Sequence, residues 1–344
     1  MNIYEKRVKD IQKILKVEKL DAMVVTRPFE LGFLTGFHLE GYMLLISRLD
    51  ARAYLPKMLL EHFRSKVDFV KAFAPDSIMD EVISTINSCK LRKTAFEPET
   101  ETYPRGVFWR KKGLIERKGL TAALRKIKEG AEIEAVRKSC AIASRAFKIM
   151  KPRIKPGRTE ISICLEIEDI MQSFGAKGPS FNIIIGSGPN SALPHHETSA
   201  RTVKNNEPVL VDFGCLCDFY CSDITRAFFI GRPPAEYLKI YSIVKKAQEK
   251  AVARVRSGVR AKDIDKTARD CISDAGYGQY FIHGTGHGIG LEIHEAPSLN
   301  SKSEDILKEG MTVTVEPGIY LPGKFGVRIE DSVLVKKTGC EILT

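Results

Sequence analysis

Four acidic residues embedded in apolar, strand-forming stretches constrain this chain more than any other feature. Asp212 follows Val211 and Asp223 precedes Ile224 within the stretch from Pro208 to Ile230, while Glu316 follows Val315 and Glu330 follows Ile329 between Val313 and Val335. In the first stretch Val209, Leu210 and Val211 make an apolar strand, a turn is expected at Cys217-Asp218, and residues 224 to 230 supply the return strand. That register sets Asp212 opposite Asp223 on one face, with Cβ atoms about 4.5 to 5.5 Å apart. In the second stretch Pro322-Gly323-Lys324 is a natural turn and sets Glu316 opposite Glu330. A bulge would shift either register by one residue and send the paired side chains to opposite faces.

Facing carboxylates repel one another, and a buried carboxylate must be paired or must coordinate a metal. A single pair would read as surface acids on an exposed strand face. Two pairs, each flanked by apolar residues, call for shared positive charge, from metal ions or from Arg226 and Arg328.

The stretch from His283 to Pro297, HGTGHGIGLEIHEAP, holds three of the seven histidines. His283 and His287 have the spacing of a two-ligand helical face, but glycines at 284, 286, 288 and 290 argue against a helix. The expectation is a loop whose backbone approaches a ligand or metal closely. Nothing in it matches GxGxxG, so a dinucleotide site is not read there. One histidine ligand is its simplest use, and spacing does not choose among His283, His287 and His294. His195-His196 lies in a loop before the first acid hairpin, where a histidine taken alone is more often structural than catalytic.

The rest of the chain supplies the frame. Its 344 residues suggest two domains. Residues 1–120 alternate a helical pattern from Ile3 to Leu15 with strand-like runs such as Ala22 to Val25, which describes a small α/β domain. Over 121–344 helices are expected near 131–150, 159–174, 237–256 and 261–275 with strands between them, which describes an α+β domain. Each acid hairpin follows a pair of helices, a hint of two related halves. A hydrophobic share of 43% and a charged share of 28% exclude disordered and fibrous classes. No run approaches the ~20 apolar residues of a membrane span, no signal peptide is read, and eight scattered cysteines suit a reduced, cytoplasmic address. Cys215, Cys217 and Cys221 lack the spacing of a zinc site and read as strand residues beside a turn. The net charge of +11 is spread along the chain, which favours a solvated surface over nucleic-acid or membrane binding.

Taken in order, SALPHH, VDFG followed by SDITR, HGTGHGIGLEIHE, VEPGIY and GVRIED resemble the motifs of the pita-bread metallopeptidases, in the Xaa-Pro dipeptidase and aminopeptidase P branch. The resemblance covers about 125 to 344, and the first domain, with FLTGF at 33–37, resembles the creatinase-type N-terminal domain of that branch. It implies an α+β pita-bread domain with pseudo-twofold halves and five metal ligands: Asp212, Asp223, His287, Glu316 and Glu330. It also implies that His195 and His294 contact substrate and transition state, that His283, Tyr320 and Arg328 lie at the substrate site, and that the chain forms a homodimer. The implied reaction is hydrolysis of the Xaa-Pro bond in peptides or dipeptides. A methionine aminopeptidase, another amide hydrolase on the same scaffold, or a peptide-binding pseudoenzyme are the alternatives.

Four carboxylates and one imidazole form a hard, oxygen-rich set suited to two divalent ions, Mn²⁺ first, with Co²⁺, Fe²⁺ or Zn²⁺ as substitutes. A water bridging the two ions would act as hydroxide on the scissile carbonyl. Glu316 would carry its proton to the leaving nitrogen, and His195 and His294 would stabilise the oxyanion.

Overall fold

The helical periodicity expected over 131–150 becomes a 21-residue helix, Gly130–Met150, in the computed structural model of the protein, which describes residues 2–344. Glu129 and Glu132 close a capping box at its start, and Val136, Cys140, Ala143, Ala146 and Met150 form its buried stripe. A second helix, Glu160–Ser173, begins at the expected cap, where the Thr159 hydroxyl accepts from the Ser162 amide at 3.1 Å. Both pack on an antiparallel sheet whose strands run in the order Ile224–Ile230, Glu207–Phe213, Ile184–Ser187.

The same plan recurs in the second half. Helices Ala235–Arg254 and Ala261–Asp274 pack on a five-stranded antiparallel sheet, in the order Glu295–Leu299, Gly286–Gly288, Thr312–Val315, Asp331–Val335, Cys340–Ile342. Details of the backbone repeat as well. Gly157 and Gly175 bracket the second helix of the first half with φ of +91° and +95°, and Gly258 and Gly276 bracket its counterpart at identical spacing with +87° and +85°. Isolated bridges join Thr159 to Thr202 and Arg260 to Ile306 at corresponding points. The two halves repeat one helix-helix-sheet plan.

The chain divides at Arg125 into units Met1–Arg125 and Lys126–Thr344, just past residue 120, where the expected helix and strand pattern loosens. The first unit is a six-stranded mixed sheet with Ala22–Val25 at its centre, antiparallel to Met43–Ser47 and parallel to Thr94–Phe96. Its helices cover a core that includes Tyr54, Phe96 and Trp109.

One expectation about the first acid hairpin needs correction. The turn falls at Asp218-Phe219, both left-handed with φ of +49° and +69°, between the paired Cys217 and Tyr220. Asp212 therefore stands opposite Thr225 rather than Asp223. The turn needs two consecutive residues at positive φ, a requirement that Cys217-Asp218 does not signal and that Phe219 meets under the Lys177 ammonium, 3.5 Å from its ring centroid. The register slips by two residues, an even number, so the side chains of Asp212 and Asp223 keep a common face. At Gly214 the ladder also splits, and Cys215–Cys217 joins Tyr220–Cys221 and Gly178–Pro179 in a separate small sheet.

The second hairpin holds the expected register, from Thr312↔Leu334 to Val315↔Asp331 and again from Gly318↔Arg328 to Leu321↔Phe325. Between these ladders, at Glu316 and Glu330, the strands part. The Glu316 amide donates to Thr285 O at 2.7 Å and the Glu330 amide to Thr225 O at 3.2 Å. Glu316 is thereby tied to the histidine segment, and Glu330 to the first hairpin.

A Cβ at Gly214 would lie 1.7 Å from Ser222 O, whereas Gly323 stands at a φ of +71° with open space around it. Gly214→Ala is expected to cost about 3 kcal/mol through forced strand separation. Gly323→Ala is expected to cost only about 1 kcal/mol of backbone strain. Thermal unfolding of both variants checks this; equal losses would contradict the packing described.

Candidate metal centre

All four acids reach one cavity of about 900 Å³ in the second unit, together with His287. Asp212, Asp223 and Glu330 are buried, at 8%, 5% and 2% exposure. Asp212 stands at the end of the Glu207–Phe213 strand, and Asp223 just before Ile224–Ile230. Glu330 accepts from the Thr225 hydroxyl at 2.6 Å, and Glu316 Oε1 from that of Thr314 at 3.3 Å.

His287 does not sit in a loop as expected; it is the middle residue of the short strand Gly286–Gly288. The glycines permit this, because a Cβ at Gly286 would lie 2.0 Å from Thr314 O of the adjacent strand. Its Nδ1 lies 3.1 Å from Gly288 O, an acceptor that places the proton on Nδ1 and leaves the Nε2 lone pair free. Nε2 points at Asp223 Oδ2 at 3.5 Å and Glu316 Oε1 at 3.4 Å. Burial, with His294 alongside, pushes the His287 pKa down to about 4, so its imidazole is neutral at neutral pH. Among the described residues, one ligand atom each from Asp223, His287 and Glu330 lies within 4.8 Å of the others.

Lone pairs thus converge without donors between them. Asp212 Oδ1 and Asp223 Oδ1 are buried with no hydrogen-bond partner. Of the two arginines that could have supplied charge, Arg328 does so in part: buried at 3% exposure, it binds Asp212 Oδ2 through Nη2, Thr225 through Nε at 3.0 Å and the Tyr320 hydroxyl through Nη1 at 2.7 Å. Arg226 turns away to Asp331, at 2.8 Å. One guanidinium cannot neutralise four carboxylates. Burial first, and then the neighbouring acids, raise Asp223 and Glu330 well above the carboxylate range; burial lifts Glu316 to about 7 against the pull of Arg328. Unpaired buried oxygens, a neutral imidazole and excess negative charge fit a divalent cation, and the five residues expected as ligands all line this cavity.

The remaining expected residues divide in two. His195, His283, His294 and Arg328 line the same cavity, and His294 packs edge-on against His287 with ring centroids 4.3 Å apart. Tyr320 does not line it. Its hydroxyl is buried behind, 2.9 Å from His283 Nε2 and bonded to Arg328. Sequence reasoning missed Thr225, which bridges Arg328 to Glu330, and Asp265, which holds the Thr285 amide and hydroxyl at 3.1 and 2.9 Å between His283 and His287. An acid on the buried face of an amphipathic helix, beside Ile264 and Ala268, was the signal for Asp265. Cys215, Cys217 and Cys221 are free, buried strand residues, as expected.

The carboxylate cluster makes stability depend on pH in a stated direction. Glu316 has an ordinary value of 4.5 and about 7 in the metal-free fold, so its contribution is present below 4.5 and is lost as pH rises through 7. Asp223 and Glu330 shift the same way. His283 and His287, both lowered from 6.5 to about 4, act oppositely only below 6.5. The metal-free protein should therefore lose thermal stability as pH rises from about 6.5 through 7, and Mn²⁺ should raise Tm more above pH 7 than below 6.5. A metal-free Tm that is flat or rises over this window would contradict the cluster's electrostatics.

The whole chain is similar to known proteins. Residues 134–337 match the model of metallopeptidase family M24, and residues 7–127 match the creatinase/prolidase N-terminal domain. The chain is 36% identical over 346 residues to the Xaa-Pro dipeptidase of Pyrococcus furiosus, covering 99% of this chain and 98% of that protein. Its structure is similar to an Xaa-Pro dipeptidase from Bacillus anthracis, with a TM-score of 0.96 at 35% identity over 99% of this chain and 97% of the other. An X-Pro aminopeptidase from Thermotoga maritima MSB8 gives 0.87 at 34% identity over 96% and 97%. The pita-bread architecture with its preceding α/β unit is thus shared across the length of these proteins. This chain belongs to metallopeptidase family M24 and is a peptidase with a creatinase/prolidase-type N-terminal domain.

Proposed function

We propose that this chain is a dinuclear metal-dependent peptidase that hydrolyses the Xaa-Pro bond, at the N-terminus of peptides or in dipeptides. The observation that carries the reading is the convergence of four carboxylates and His287 on one cavity with Asp212 Oδ1 and Asp223 Oδ1 buried and unpartnered. Relatives named Xaa-Pro dipeptidase and X-Pro aminopeptidase support the substrate class. In this reading Asp212, Asp223, His287, Glu316 and Glu330 hold two divalent ions, Mn²⁺ by preference, with Co²⁺, Fe²⁺ or Zn²⁺ as substitutes. Such ions supply Lewis acidity to the scissile carbonyl and to a nucleophilic water.

The chain's own groups do the rest. Glu316, at the cavity wall, takes a proton from the nucleophilic water and delivers it to the leaving nitrogen. Like any amide nitrogen it must be protonated to depart as an amine, and in an Xaa-Pro bond, a tertiary amide, the delivered proton becomes the only N–H of the departing secondary amine. His195 and His294, both exposed into the cavity, donate to the oxygen that becomes anionic. His283 and Arg328 form the substrate wall, with Tyr320 fixing the orientation of both from behind. Arg328 adds positive charge beyond what four carboxylates need to balance two divalent ions, which suits a substrate carboxylate. The homodimer belongs to the same reading. Among the described residues no helix is long and apolar enough to cross a membrane.

The test compares release from Xaa-Pro, Xaa-Pro-Yaa and Met-Ala-Ser after Mn²⁺ loading. Cleavage of the proline substrates only is expected, and the ratio of the first two separates dipeptidase from aminopeptidase. A folded, metallated protein that releases nothing from either proline substrate would overturn the proposal. Asp223→Asn is expected to abolish turnover and to lower bound Mn²⁺ per chain as measured by elemental analysis; full activity with one ion per chain would refute a dinuclear centre.

A further inference from the structure

One buried carboxylate has no part in the chemistry above. Glu160 opens the Glu160–Ser173 helix and is 0% exposed. Its Oε1 accepts from the Ser187 amide at 2.8 Å, the Ser187 hydroxyl at 2.7 Å and Asn190 Nδ2 at 3.1 Å. Its Oε2 accepts from the Ser199 amide at 3.1 Å and the Ser199 hydroxyl at 2.7 Å, and stands 2.8 Å from His196 Nε2. Burial alone would raise its pKa, but the bonds from Ser187, Ser199 and His196 outweigh burial and hold it below the ordinary value. It is an ionised hub with both oxygens saturated.

All of these partners belong to one segment, 187–199, and His195 lies within it. The opposite side of the segment is pinned to the second acid hairpin: the Gly326 amide donates to Ser191 Oγ at 3.1 Å, and Arg328 Nη1 donates to Pro194 O at 3.4 Å. His196 turns inward to Glu160, with 8% of its side chain exposed, while His195 projects into the cavity. Anchoring one of two consecutive side chains fixes the backbone from which the other projects.

We infer that Glu160 is a positioning residue for His195: by gathering Ser187, Asn190, His196 and Ser199 onto one carboxylate, it sets the segment that presents His195 to the substrate. The inference rests on the role given to His195 above. It concerns a group that touches neither substrate nor the expected metal ligands, so a loss of catalysis should come without a loss of metal.

The test uses the Mn²⁺-loaded full chain. Glu160→Gln keeps the volume but turns one acceptor oxygen into a donor that faces donors. Faster amide hydrogen exchange is expected at Ser187 and Ser199 but not at Gly286–Gly288, with bound Mn²⁺ per chain unchanged. The kcat/KM on an Xaa-Pro substrate should fall by about a hundredfold. In a His195→Ala background the same substitution should change kcat/KM by less than about twofold, because the group it positions is gone. Equal factors in both backgrounds, or wild-type kcat/KM in E160Q, would overturn the inference while leaving His195 in its role. Wild-type kcat/KM in His195→Ala alone would instead overturn the role of His195, and the inference with it. If Glu160→Gln fails to fold, Asn190→Ala and Ser199→Ala each remove one partner and enter the same cycle with the same outcomes.

Discussion

The repulsion among four clustered carboxylates, three of them buried, is the constraint on which this structure depends. Asp212, Asp223, Glu316 and Glu330 share a cavity in which Arg328 offers one neutralising contact, to Asp212. A cluster of this kind is unfavourable to fold without a cation, and any cation that binds the fold but not the unfolded chain returns the lost stability. The acids sit at strand ends and at breaks in ladders, where the backbone turns from one sheet to another and its hydrogen bonds cross between hairpins. Thr225 stands at that crossing: its carbonyl takes the Glu330 amide and its hydroxyl joins Arg328 to the Glu330 carboxylate.

The repeated plan explains how such a cluster is assembled. Each half brings a helix pair, a sheet and one acid pair, and the cluster forms where the two hairpins meet. The halves then differ in what surrounds the acids. In the first, Glu160 gathers the segment that carries His195; in the second, Asp265 holds Thr285 between His283 and His287, while Arg269 donates to His283 O at 2.8 Å. In both halves a buried acid on the second helix orders a histidine-bearing segment without itself lining the cavity.

Much of this was legible in the sequence, for definite reasons. The long helices announce themselves through apolar period and cap residues, and the second hairpin's register follows from Gly323, whose positive φ marks the turn. The first hairpin misled because Asp218-Phe219 carries no glycine, so its turn looked no better than its neighbour. The strand at His287 was hidden for another reason: its glycines read as freedom of backbone, whereas their actual use is to admit Thr314 and Ala296 against the chain. Thr225 carried no signal at all, since a threonine in a strand is ordinary until its two partners are seen.

The sequence by itself determined that four acids lie within apolar strands, that each hairpin's two acids share a face, and that histidines accompany them in a glycine-rich run. These properties are local: they depend on side-chain period and turn chemistry over a few tens of residues. Only the tertiary structure decided that both hairpins open onto one cavity, that His287 aims Nε2 at Asp223 and Glu316, that Arg328 takes Asp212 while Arg226 takes Asp331, and that Glu160 anchors the segment around His195. Each of those contacts joins residues far apart in the chain, and no periodicity specifies which distant groups will meet; the packing of the two halves does.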